Sequence, residues 1–242
     1  MLYKHPMRYN IPIMQSNRTS VLIATTLGAF LTPFMGSAMN VAVFAIGQEF
    51  AMNADVLSWI NNSFLIASLT FLLPFGRLAD IYGRKRIFTW GIIAFTVCTF
   101  LIALANSTGM FLAFRALQGA AGAMIFGTSV ALVTSAYPPE QRDRVLGINV
   151  ASIYIALSIG PVIGGVLVNH FGWESIFIAT LPLCLFVFAL IVWKLRSEWA
   201  PAKGEGFDKG GAAIYGITVI TAMCGLSLLP QWWGGGLIIA GT

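Results

Sequence analysis

Charge is what this 242-residue chain has least of: Lys, Arg, Asp and Glu make up 10% of it, against 57% hydrophobic residues and a mean hydropathy of +0.81. A soluble domain of this length would be about a quarter charged, so composition excludes one and leaves an integral membrane protein. Histidine is nearly absent. His5 lies in the leading segment and His170 in a short loop, neither beside a ligand-like partner, and both read as surface residues. Cys98, Cys184 and Cys224 each fall inside an apolar run without paired spacing, which argues against a disulfide framework and a metal cluster alike. There is no glycine-rich loop before a lysine and no nucleophile, base and orienting acid in evidence, so neither nucleotide hydrolysis nor another enzymatic activity is expected. Cations exceed acids by 14 to 9. They sit in short clusters beside apolar runs rather than along one helix face, which excludes nucleic acid as a partner and points to the lipid bilayer.

What is present is a series of apolar runs about twenty residues long, the length a helix needs to cross a bilayer core. Seven complete spans are expected at residues 21–46, 57–79, 87–105, 110–136, 145–168, 176–193 and 210–229. An eighth, from Trp232, has about eleven residues, or about 16 Å of helix against a core of about 30 Å, and reads as cut partway. Alternating the loops between the two sides sorts the cations. Lys4, Arg8 and Arg18, then Arg77, Arg84, Lys85 and Arg86 around the second loop, Arg142 and Arg144 in the fourth, and Lys194, Arg196, Lys203 and Lys209 in the sixth all fall on one side. The other side receives only Glu49, Asp55 and Glu174, so the positive-inside rule predicts a cytoplasmic amino terminus. The run after the first eighteen residues is too long for a cleavable signal.

Arg115 alone belongs to neither side. A charge inside a span is expensive and is expected to face the bundle interior and find an acceptor, although an arginine there could also snorkel outward. Gln118, at i+3, shares its helix face and favours the interior reading. Gly119, Gly122 and Gly127 follow on the same span; Gly160, Pro161, Gly164 and Gly165 cluster on the next. Small residues four apart permit close helix approach, and a proline among them suggests a helix built to bend or slide. Asp80 lies at the cytoplasmic end of the second span, the wrong end of a helix dipole for an anion. Arg77 at i−3 and Arg84 at i+4 are its local partners by spacing, and both a latch and a solvated ion pair fit that spacing.

Three stretches together are similar to the signatures of one family. Gly76-Arg77-Leu78-Ala79-Asp80-Ile81-Tyr82-Gly83-Arg84-Lys85-Arg86 resembles the loop signature between helices two and three of the major facilitator superfamily. Arg115-x-x-Gln118-Gly119 resembles its fourth-helix motif, and Gly160-Pro161-x-x-Gly164-Gly165 its helix-five antiporter motif. Trp59, Phe171-Gly172-Trp173 and Phe207-Asp208-x-Gly210 resemble the drug/proton antiporter branch with fourteen helices. The resemblance implies an all-α membrane fold: a cytoplasmic segment (1–20), a six-helix amino-terminal half built of 3+3 inverted repeats (21–198), and linker helices (199–242) truncated in the eighth span.

It further implies a proton-coupled multidrug exporter in a plasma or inner membrane. Such a protein binds amphipathic or cationic molecules between two six-helix halves, of which the carboxy-terminal one is missing here. Gly76, Asp80, Gly83, Arg84, Lys85 and Arg86 would form its cytoplasmic gate. Arg115, Gln118, Asn40 and Asn62 would serve substrate and proton, with Gly160, Pro161, Gly164 and Gly165 as the bending motif; no cofactor is implied. Three positions depart from the pattern. Met35 stands where the first-helix motif has an acid, Ala156 replaces a glycine, and Glu174 replaces an arginine. Export or uptake of a defined metabolite such as an amino acid or siderophore, and a half-transporter inactive without its other half, are the alternatives.

Overall fold

A computed structural model describes residues 18–227. Seven α-helices are present and no strand occurs among the described residues: α1 (Arg18–Glu49), α2 (Ala54–Tyr82), α3 (Arg84–Ala103), α4 (Thr108–Ala136), α5 (Pro139–Phe171), α6 (Glu174–Lys194) and α7 (Lys209–Ser227). All seven are long and apolar enough to cross a membrane. Lys4, His5, Arg8 and the eighth span from Trp232 lie outside the described residues.

Local chemistry sets the helix ends. Asn53 caps α2 by accepting the Val56 amide at 2.9 Å. Gly83, at φ 121°, and Gly172, at φ 83°, end α2 and α5 in backbone that side chains rarely adopt. Pro139 opens α5 at its first turn, where no amide is needed. Two expected boundaries therefore move. Arg142 and Arg144 belong to an exposed extension of α5 rather than to a loop, and Arg84, Lys85 and Arg86 form the first turn of α3. His170 likewise lies in the last turn of α5. Charge prevents entry into lipid but not helix formation, which is why apolar runs alone underestimate these helices.

Helix α1 packs along α5 and α2 along α4; α3 lies against α4 and α6, α1 also against α6, and α7 rests on α2. Exchanging the first three helices for the next three maps α1–α5 onto α4–α2 and α3–α4 onto α6–α1. With three spans in each copy the second is necessarily inverted, as expected of a 3+3 repeat. Met35, Phe88, Phe95, Phe111 and Phe177 are fully buried between the helices, while Leu65, Leu73, Tyr154 and Val162 on α2 and α5 are exposed.

Candidate functional site

The centre of the bundle is organised by one close helix crossing. At Gly119 a side chain would collide with the Phe64 carbonyl of α2, and the Ser68 hydroxyl donates to the Gly119 carbonyl at 2.8 Å. This approach brings α2 within reach of Arg115, one turn earlier on α4. Arg115 is 1% exposed. Its Nε donates to the Ile60 carbonyl at 3.2 Å, its Nη1 to Gln118 Oε1 at 2.6 Å, and the guanidinium lies 4.7 Å from the centre of the Phe64 ring. Gln118 Nε2 passes the chain of bonds to Thr99 Oγ1 on α3 at 2.8 Å. The arginine thus faces inward and is bonded to neutral acceptors, with Gln118 behind it.

Beside Arg115 lies a cavity of about 440 Å³ between α1, α2 and α4, bordered also by Leu157 of α5. Thr32, Ser37, Asn40, Asn61, Ser68 and Arg115 supply its polar groups; Phe64, Leu65, Leu69, Leu72 and Phe126 supply most of its wall. Asn61 Nδ2 donates to Asn40 Oδ1 at 2.8 Å. Asn62, the asparagine of α2 named from the sequence, is not among the lining residues and donates to Ser227 Oγ of α7 at 3.1 Å. The signal for Asn61 was available: it shares a helical face with Phe64, Leu65, Ser68, Leu69 and Leu72.

The helix-five motif divides. A Cβ at Gly160 would meet Ser37, and one at Gly164 would meet Ala38, so both permit α5 to lie directly on α1, where Ser37 Oγ donates to the Ala156 carbonyl at 3.2 Å. Gly165 has ordinary room beside Val41. Pro161 removes the amide that would bond the Leu157 carbonyl at the cavity wall.

At the end of the bundle that holds residues 76–86, Arg84 Nε lies 2.8 Å and Nη2 2.7 Å from Asp80 Oδ1. The same guanidinium donates through Nη1 to the Ala131 carbonyl at 3.1 Å and to Ser135 Oγ at 2.6 Å, tying α2, α3 and α4 together. Arg77, the other local candidate, pairs with Glu205 instead. The segment between α6 and α7 straps this corner, a feature sequence reading missed. Glu198 Oε1 accepts the Lys85 amide at 2.9 Å, the Trp199 carbonyl accepts the Arg84 amide at 2.8 Å, and the Ala202 amide donates to the Asp80 carbonyl at 3.0 Å. Glu198 Oε2 lies 4.0 Å from Arg86 Nε.

Gly83 sits under this strap at positive φ, and a Cβ there would meet the Glu198 carboxyl carbon at 2.5 Å. Gly83→Ala is expected to cost about 2 kcal/mol from backbone strain and the displaced carboxylate. Gly76→Ala, with open space around it, serves as the control and leaves stability unchanged or slightly higher. Thermal unfolding in detergent measures both; equal melting temperatures for the two variants would contradict the strap.

Comparison with known proteins gives these features a family. Multidrug resistance protein Stp of Mycobacterium tuberculosis (strain CDC 1551 / Oshkosh) is 34% identical over 206 residues, covering 84% of this chain and 38% of that protein. The tetracenomycin C resistance and export protein of Streptomyces glaucescens is 30% identical, with 88% and 40% covered. Riboflavin transporter RibZ of Clostridioides difficile (strain 630) is 29% identical, with 81% and 43% covered. The chain thus spans about two fifths of the length of these relatives. Among solved structures, the peptide transporter POT in complex with sulfate superposes with a TM-score of 0.69 at 15% identity, covering 93% of this chain and 49% of that one. A bacterial homolog to the human lysosomal transporter Spinster gives 0.66 at 17% identity, covering 94% and 59%. Both likenesses speak to the fold. The family profile of the Major Facilitator Superfamily matches residues 25–241, and the chain belongs to that superfamily.

Proposed function

We propose that this chain contributes half of a secondary transporter that exports amphipathic small molecules in exchange for protons, by alternating access, from the fourteen-helix drug/proton antiporter branch. The cavity between α1, α2 and α4 carries the proposal. It has apolar walls and a few converging polar groups, the make-up of a small-molecule site, and it is flanked by helices that a second half would cover in a transporter of this fold. The relatives' names, multidrug resistance and tetracenomycin C resistance and export, support export. A defined metabolite as cargo is the second reading, favoured by the match to a riboflavin transporter; competition of metabolites against dyes separates the two.

Proton coupling would draw its carrier from elsewhere in the assembled protein, because Met35 occupies the acidic position of α1 and is fully buried. Among the described residues every Lys and Arg except Arg115 falls at one end of the bundle, which supports a cytoplasmic amino terminus in a plasma or inner membrane.

Gly36 lines the cavity and has open space where a side chain would grow. Gly36→Phe is therefore expected to lower proton-gradient-driven dye transport in everted vesicles about tenfold or more, while leaving stability within about 0.5 kcal/mol. Undiminished transport with the phenyl ring in place would remove this cavity from the substrate path.

A further inference from the structure

We propose that Arg115 is an anion-recognition residue, and that the cavity selects amphipathic molecules carrying a carboxylate or similarly compact anionic group; this rests on the cavity being the substrate site. A guanidinium at 1% exposure needs compensation for its lost hydration. Its partners are all neutral: a backbone carbonyl, an amide oxygen and a phenyl ring. The chain has nine carboxylates, and all nine fall among the described residues at helix ends or in loops. Glu49 ends α1 and accepts from Trp173 Nε1 at 2.6 Å; Asp55 is in the first turn of α2, and Asp80 pairs with Arg84. Glu140 and Asp143 open α5, Glu174 opens α6, and Glu198, Glu205 and Asp208 precede α7.

Nε and Nη1 of Arg115 are committed to Ile60 and Gln118, while Nη2 makes no hydrogen bond to a described residue. A charged donor beside a largely apolar wall attracts an anion far more strongly than the same group in water, and a guanidinium suits a carboxylate in particular. The Asn40–Asn61 pair lies along the same cavity and offers further neutral hydrogen bonding. A cation entering this space would face an unscreened like charge. The cationic cargo implied by family resemblance is therefore not the class this half of the cavity favours.

Three probes of one shape test the inference: 2-naphthoate, neutral 2-naphthamide and cationic 2-naphthylmethylamine. Each is titrated calorimetrically at pH 7.5 into the native polypeptide in lipid nanodiscs, with empty nanodiscs subtracted. Naphthoate is expected to bind about tenfold more tightly than naphthamide, the difference between a charged and a neutral hydrogen bond, with the amine weakest. Arg115→Gln should erase the advantage of naphthoate over naphthamide, and an advantage of naphthoate kept in that variant would overturn the assignment to Arg115. Where that variant does not fold, the order of the three probes on the unaltered protein still decides. Naphthamide as tight as naphthoate, or the amine tightest, overturns the charge preference alone. No saturable binding of any probe overturns the cavity as the substrate site and this inference with it.

Discussion

Arg84→Ala is expected to lower stability by about 2–3 kcal/mol and to reduce transport by the assembled protein more than tenfold. Asp80 stands near the carboxy-terminal end of α2, where the helix dipole disfavours an anion, and Arg84 neutralises it across the Gly83 turn. The same side chain reaches α4 at Ala131 and Ser135. Its loss strands a partly shielded carboxylate and unties three helices at once. The pair's side chains are 20% and 33% exposed, so the cost lies between the small value of a surface pair and the larger one of a buried pair. Asp80→Asn, which keeps the shape and one acceptor, should cost about 1 kcal/mol. In a double-mutant cycle followed by chemical unfolding, the double variant should be at least about 1 kcal/mol less destabilised than the sum of the singles. Strict additivity would mean that the two charges do not act as a unit.

Gly119→Ala should be destabilising despite alanine's advantage of about 1 kcal/mol within a helix. The added methyl meets backbone of α2, the Phe64 carbonyl carbon at 2.9 Å and its Cα at 3.0 Å, and backbone cannot rotate aside as a side chain could. The helices must separate, which stretches the Ser68 bond to Gly119 and draws the Ile60 carbonyl away from Arg115. Overpacking of this kind costs about 1–3 kcal/mol; with the disturbed arginine bond, a net loss near 2 kcal/mol and at least about tenfold weaker dye transport are expected. Gly165→Ala, which meets only Val41 at 3.9 Å, should be neutral or slightly stabilising. Thermal unfolding of the pair decides: a more stable Gly119→Ala protein would show that α2 and α4 are not held in contact here.

Helix number was legible in the sequence because a bilayer demands length and apolarity, both properties that can be read along the chain. Helix ends were less so. Residues 139–144 carry four charges and read as loop, yet Pro139 starts the helix and water tolerates its charged turns. The inward face of Arg115 followed from the cost of exposing it to lipid. Its partners did not, since the Ile60 carbonyl becomes available only because Gly119, on another helix and distant in sequence, lets two backbones meet. Asn62 is the candidate named from the sequence, and a single residue of rotation, about 100° on a helix, separates it from Asn61 and the α7 side from the cavity. The strap of Glu198, Trp199 and Ala202 carries no periodic pattern, and its role arises wholly from tertiary contacts with residues 80–86.

The most direct test is the accessibility of a single cysteine at Asn40, in a protein whose Cys98, Cys184 and Cys224 are replaced by serine. Asn40 lines the cavity and its side chain is exposed there. Labelling with a membrane-impermeant maleimide is measured from each side of the membrane under opposite proton gradients, with and without transported dye. Alternating access predicts reactivity from the outside under one gradient, from the cytoplasm under the other, and protection by dye in both. Reactivity from one side only, whatever the gradient and indifferent to dye, would show a fixed crevice and contradict the transport path.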